Sequence, residues 1–211
     1  MNLNKKALQL YLVTDSSWTK EKTLMEQVKE SLEAGVSFLQ LREKNLEYDP
    51  FLALAKEMKG LARSFQVPFV INDHVKIALE SDADGIHIGQ KDMPIEEARK
   101  LIGKDKLLGV SVGNVEEALL AEKLGADYLG VGAMFSTDTK KDAKNVPIET
   151  LKNICEAVSI PVVAIGGINK ENILNLKDSG ADGVAVISAI LAKKDIKGAT
   201  KELKSICERI F

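Results

Sequence analysis

Apolar and polar positions along this chain alternate between two textures. One is a set of short runs dense in Val, Ile and Leu: "LQLYLVTD", "SFLQLREK", "VPFVIND", "DGIHIGQ", "LLGVSV", "DYLGVGAMF", "IPVVAIGG" and "DGVAVISA". Runs of this kind predict eight strands covered on both faces. The other texture fills the gaps between them. Segments such as "TLMEQVKESLEAG" and "NVEEALLAEKLG" set apolar residues three and four positions apart, and Leu24, Val28 and Leu32 line one face of the first. That spacing predicts amphipathic helices.

A phrase recurs at every second strand: "EAGVSFLQL", "SDADGIHIG", "LGADYLGVG" and "SGADGVAVI". Each carries a helix end, a turn and then a strand, so the repeating unit reads as βαβα. Gly35, Gly125 and Gly180 stand where a helix ends in the left-handed conformation. Strict alternation implies a parallel sheet with right-handed crossovers. Eight units favour a closed (β/α)8 TIM barrel over an open doubly wound sheet. No linker, low-complexity tract or shift in composition interrupts the pattern, so residues 1–211 are expected to form one domain.

Composition narrows the partners. The chain has 211 residues, 45% of them hydrophobic and 28% charged, and a formal net charge of −2. No whole-surface field draws nucleic acid or an acidic membrane, so anion binding must come from local placement. Lys5 and Lys6 precede a short apolar run, yet it stops at Thr14 and Asp15 without a small-residue cleavage site. No stretch nears the ~20 apolar residues of a spanning helix. Cys155 and Cys207 lack metal-ligand or disulfide spacing and read as small buried hydrophobes. A soluble cytoplasmic protein is expected, with its oligomeric state, homo-oligomer included, left open.

In such a barrel the chemistry gathers where strands end. The second strand is followed by Gln40, Arg42, Glu43 and Lys44, the third by Asn72 and Asp73, and the fourth by Gln90, Lys91 and Asp92. Ser111 closes the fifth, Thr137, Thr139 and Lys140 follow the sixth, Gly166 and Gly167 the seventh, and Ile187 and Ser188 the eighth. Asp73 and Asp92 would leave adjacent strands at one rim, where two hard oxygen ligands suit Mg2+. A helix cap and a lysine pair account for the same two residues equally well. Arg42, Lys44 and Lys140 would face that ion, arginine as a fork and lysine as a point charge. The "IGG" turn and the "ISAI" segment make a second anion site, with Ser188 opening the next helix. The polar loop "STDTKKDAK" fits either a solvated loop or a phosphate site. The residues thus point to two phosphorylated substrates, or one with two phosphate ends.

Taken together, "QLREK", "IND", "ADGIHIGQKDMP", "GVS", "STDTKKDA", "AIGGI" and "AVISAI" resemble the thiamine-phosphate synthase family, in the family's order and over nearly the whole chain. The resemblance implies a transferase that joins 4-amino-2-methyl-5-pyrimidinylmethyl diphosphate to a thiazole monophosphate. It assigns the pyrimidine diphosphate to Gln40, Leu41, Arg42, Glu43, Lys44, Asn72, Ser111 and Lys140. Mg2+ would fall to Asp73 and Asp92, and the thiazole phosphate to Thr137, Asp138, Thr139, Gly167, Ile187 and Ser188. It also implies a dissociative reaction, with Arg42, Lys44, Lys140 and Ser111 as the catalytic groups.

Ser136 and Ala133 stand where many relatives carry proline, and His74 where Arg or Asp is commoner. Two rivals share the motifs: a thiazole tautomerase on the same barrel, and a non-catalytic thiamine-phosphate binding protein. The tautomerase has no need of Asp73, Asp92 and Lys140. Three finer expectations follow. His87, inside "GIHIG", should be a hydrogen-bonded structural histidine, and Ser188 should N-cap the last barrel helix. The loop from about Ser136 to Lys144 should order on phosphate binding, with Lys140 its one chemical residue.

Overall fold

In the computed structural model, residues 3–19, 21–136 and 145–211 are described. Eight parallel strands close on themselves in chain order, β8 returning to β1. They are β1 (Leu10–Val13), β2 (Phe38–Leu41), β3 (Phe69–Asn72), β4 (Gly85–Ile88), β5 (Leu107–Val112), β6 (Tyr128–Val131), β7 (Val162–Ile165) and β8 (Gly183–Val186). The expected TIM barrel is there. Six helices follow the first six strands: α1 (Leu24–Glu33), α2 (Tyr48–Ser64), α3 (Val75–Glu80), α4 (Ile95–Ile102), α5 (Val115–Lys123) and α6 (Ile148–Ala157). After β8 come α7 (Ser188–Leu191) and α8 (Ile196–Ile210).

The predicted alternation lapses once. Between β7 and β8 the chain makes only a 3-10 turn, Ile173–Leu176. Asn169 and Asn172 supply the reason. Their side-chain oxygens accept from the backbone N–H groups of Glu171 and Asn169, at 2.9 Å each. Such local bonds offer the backbone an alternative to the helical ladder. At α1, by contrast, a Thr23–Glu26 capping box fixes the start.

Period-two alternation divides each strand between two cores. Outward residues such as Leu12, Leu39, Ile71, Ile86 and Val110 pack with helix residues Val28, Leu32 and Met58. Inward residues Tyr11, Phe38, Val70, Leu107, Tyr128 and Val163 fill the barrel itself.

The recurring phrase now has a physical meaning. Its Asp precedes β4, β6 and β8 and accepts a backbone N–H at the start of the preceding strand. Asp84 takes Phe69 N at 2.8 Å, Asp127 takes Leu108 N at 2.7 Å, and Asp182 takes Val162 N at 2.9 Å. Ser37 does the same before β2, accepting from Leu10 N at 3.0 Å. Each carboxylate also meets a cation: Lys59 on Asp84 and Arg99 on Asp127, both at 2.5 Å, and Lys5 on Asp182 at 3.0 Å. The motif fastens neighbouring strands at the N-terminal rim. Gly35 and Gly125 have φ of 108° and 93°, as their position just past α1 and α5 required, while Gly180, at 84°, follows the 3-10 turn and not the expected helix.

Cys207 is buried, as expected, whereas Cys155 is only half-buried. Desolvation pushes both thiols up, Cys155 to about 11 and Cys207 to about 12. Among the described residues no helix is long and apolar enough to cross a membrane.

Candidate active site

The C-terminal mouth of the barrel holds a cavity of about 180 Å3. One water needs only about 10–15 Å3 on that measure, so the space is of ligand size. Gln40, Arg42, Asn72 and Ser111 line it on the β2–β5 side, and Gly167, Ile187 and Ser188 on the β7–β8 side. These seven, all singled out in the sequence, therefore meet in one space, with Gly166 and His87 beside them. Gln40, Asn72, His87 and Ser111 share the inward register of their strands, and the pairings Asn72 to His87 and Ser111 to Gly130 set their height in the barrel.

Beside the cavity the charges are already paired. Lys44 Nζ lies 2.5 Å from Asp73 Oδ2, and Asn72 Nδ2 donates to that same oxygen at 2.5 Å. Asp92 Oδ2 accepts from Gly89 N at 2.8 Å. Burial pushes the Asp73 carboxyl up, the bond from Lys44 pulls it down, and neighbouring Asp92 adds a further upward push. Two carboxylates crowded at a partly desolvated rim form a donor set that a hard divalent cation would relieve. Among the described residues no group of three or more His, Cys, Asp or Glu is placed to hold a metal.

Other members of "QLREK" serve differently. Arg42 Nη1 reaches Asp15 Oδ2 at 3.3 Å, and the Arg42 N–H donates to the buried Thr14 Oγ1 at 2.9 Å. Glu43 turns away from the cavity to accept from Ser16, and burial raises its carboxyl above the ordinary 4.5. Leu41 is fully buried among strand and helix residues and does not line the cavity. Thr14, Asp15 and Ser16 were missed in the sequence. Their signal was the polar trio that ends the "LYLVTDSS" strand.

The β6–β8 side is built from absences. Gly166 and Gly167 have φ of 97° and 66°, and a Cβ there would come within 2.6 Å of Ala133 Cβ and Phe135 O respectively. Phe135 N donates to Gly166 O at 3.0 Å, so the glycine turn also braces the chain leaving β6. Ser188 departs from expectation. It is the first residue of α7 and not its cap, a position that Ile187 takes without a side-chain bond. The four-residue α7 starts one residue early, and Asp195 caps the longer α8 instead. Ser188 still lines the cavity. Thr137, Asp138, Thr139 and Lys140, with the ordering expected of their loop, lie outside the described residues.

His87 is hydrogen-bonded at both ring nitrogens: Nδ1 to Tyr128 OH at 3.1 Å and Nε2 to Ser111 Oγ at 2.9 Å. Tyr128 OH lies 3.0 Å from Tyr11 OH, which accepts from Gln40 Nε2. These two tyrosines under the cavity floor also escaped the sequence reading, because each looks like one more apolar strand residue.

A family model described as thiamine monophosphate synthase matches residues 10–190. The chain belongs to that family. A thiamine-phosphate synthase from Clostridium tetani is 52% identical over 92% of this chain and 93% of its own length. Another, from Methanobrevibacter smithii, is 50% identical over 95% and 96%. Among solved structures, a thiamine phosphate pyrophosphorylase from Pyrococcus furiosus superposes with a TM-score of 0.91 at 43% identity, covering 98% of each chain.

Proposed function

We propose that this barrel is a soluble cytoplasmic thiamine-phosphate synthase, joining 4-amino-2-methyl-5-pyrimidinylmethyl diphosphate to a thiazole monophosphate with release of pyrophosphate. The observation that carries the reading is the two-sided cavity. Arg42 stands on one side with the Lys44–Asp73 pair beside it, a glycine turn with a serine stands on the other, and amide and hydroxyl groups floor it. Near-complete alignment with relatives of that name supports it.

The chemistry asks little covalent work of the protein. The bond from the pyrimidine methylene carbon to the diphosphate oxygen breaks, and its electron pair leaves with the diphosphate. The thiazole nitrogen then gives its lone pair to the resulting cation, forming the new C–N bond. Arg42 pairs with Asp15 and Lys44 with Asp73. Turning toward a diphosphate lets the two cations meet the charge that grows on the leaving group, and electrostatic stabilisation of such charge is usually the largest catalytic term. Asp73 and Asp92 would hold Mg2+, which when bound would offset part of that charge. Lys140 remains assigned to the same diphosphate by family resemblance. Gly167, Ile187 and Ser188 would hold the thiazole phosphate and align its ring with the methylene carbon.

The test incubates the enzyme with both substrates and Mg2+ and follows thiamine phosphate and pyrophosphate together. Equal formation of the two is expected. Isomerisation of the thiazole phosphate with no pyrophosphate would mean the tautomerase, and tight binding without turnover would mean the binding protein.

A further inference from the structure

We propose that the buried chain Gln40–Tyr11–Tyr128–His87–Ser111 has a single hydrogen-bond polarity, which sets the cavity floor to accept at Gln40 and donate at Ser111. Tyr11, Tyr128 and His87 are then positioning residues. Five side chains from five strands (β2, β1, β6, β4 and β5 in the order of the chain) are linked by four consecutive contacts. The two ends, Gln40 and Ser111, both line the cavity, and so does His87.

The direction follows from the donor inventory. The Gln40 amide nitrogen can only donate, so Tyr11 OH accepts and its one proton goes on to Tyr128 OH. The Tyr128 proton must then go to His87 Nδ1. That nitrogen is therefore unprotonated, His87 is neutral, and its proton sits on Nε2, from which it donates to Ser111 Oγ. The serine proton is left to point into the cavity. The Gln40 carbonyl oxygen, opposite its committed nitrogen, is left to accept there. An imidazolium would donate to Tyr128 as well, and the Tyr128 proton would lose its partner.

The surroundings hold this arrangement in place. Burial raises both phenols far above 10.0, so neither ionises near neutral pH. Tyr11, Phe38 and Tyr128 pack edge to face, with centroids 4.6–6.1 Å apart. Gly109 stands between the relay members. A Cβ there would lie 2.5 Å from His87 Nδ1, and one at Gly130 would lie 3.2 Å from His87 Cε1. In a dry interior a wrongly directed bond leaves a polar group unpaired, so a fully connected chain tolerates one direction much better than a mixture.

A floor of this kind suits a flat heteroaromatic ring that offers an amino donor and a ring-nitrogen acceptor. An aminopyrimidine does so, and this last step rests on the reading under Proposed function. The polarity itself does not.

The experiment is nitrogen-15 NMR of the ligand-free protein labelled in histidine, whose two imidazoles are told apart by the loss of one set in His74→Gln. His87 should show an unprotonated Nδ1 and a protonated Nε2. In Tyr128→Phe, which keeps the ring, that preference should give way to a mixture of tautomers. The KM for the pyrimidine substrate should then rise about tenfold while that for the thiazole phosphate stays unchanged. A protonated Nδ1 in the parent protein, or a Tyr128→Phe signature identical to the parent's, would overturn the proposal. A correct tautomer in a protein that makes no thiamine phosphate would sink the functional reading and leave the polarity standing.

Discussion

The two rims of this barrel use carboxylates in opposite ways. At the N-terminal rim Asp84, Asp127 and Asp182 each accept a backbone N–H and meet a cation, in a pattern repeated strand after strand. At the mouth Asp73 and Asp92 crowd each other, Asp73 is pushed up by burial and bonded by Lys44 and Asn72, and Asp92 accepts from Gly89 N. Among the described residues the first set gives each carboxylate its own cation, whereas the second sets two neighbouring carboxylates against one lysine. Singly paired carboxylates fasten strands, whereas a crowded pair suits the divalent cation proposed above.

Four substitutions can break or sharpen that contrast. The largest effect should come from Asp92→Ala, with kcat falling about a hundredfold or more while the melting temperature changes little. Activity that persists in EDTA would remove the cation from the account. Asp127→Ala should do the reverse. Losing the clamp on Leu108 and the partner of Arg99 should cost roughly 2–3 kcal/mol, read by denaturant unfolding, with kcat at 25 °C within about twofold of the parent. Ser188→Ala should raise the KM of the thiazole substrate by 1–2 kcal/mol in effect, about five- to thirtyfold. A rise confined to the pyrimidine substrate would exchange the two phosphate assignments.

The smallest effect concerns Glu43, which burial raises above 4.5, with Ser16 and Arg42 opposing and Asp15 adding to the rise. A raised carboxyl prefers its proton in the folded state. Its destabilising charge is therefore absent below the unfolded value and fully present above the folded one. Glu43→Gln should raise the melting temperature by about 2 °C at neutral pH and by nothing in acid below pH 4. A constant difference across that range would assign the effect to packing.

Much of this could be read from residue order, for identifiable reasons. Continuous apolar runs declared all eight strands, because a sheet covered on both faces leaves no polar alternation. Strand ends named Gln40, Arg42, Asn72, Ser111 and Ser188, since a parallel barrel puts every such end at one mouth. The missing helix after β7 was not visible, because only the folded Asn169 and Asn172 show how they divert the backbone. Tyr11 and Tyr128 were hidden for another reason. Their hydroxyls matter only through partners on other strands, and register across the barrel is a property of closure. The recurring Asp looked like a turn signal until Phe69, Leu108 and Val162 came into place above it.

The central claim is that the charged side of the mouth takes a diphosphate through a divalent cation held by Asp73 and Asp92. Titration calorimetry of pyrophosphate into the ligand-free protein, with and without Mg2+, tests it most directly when run beside Asp92→Ala. Binding should tighten at least tenfold with Mg2+ in the parent and gain nothing from Mg2+ in the variant. Equal affinity in all four titrations would contradict the account and return these aspartates to the status of a helix cap and a lysine partner.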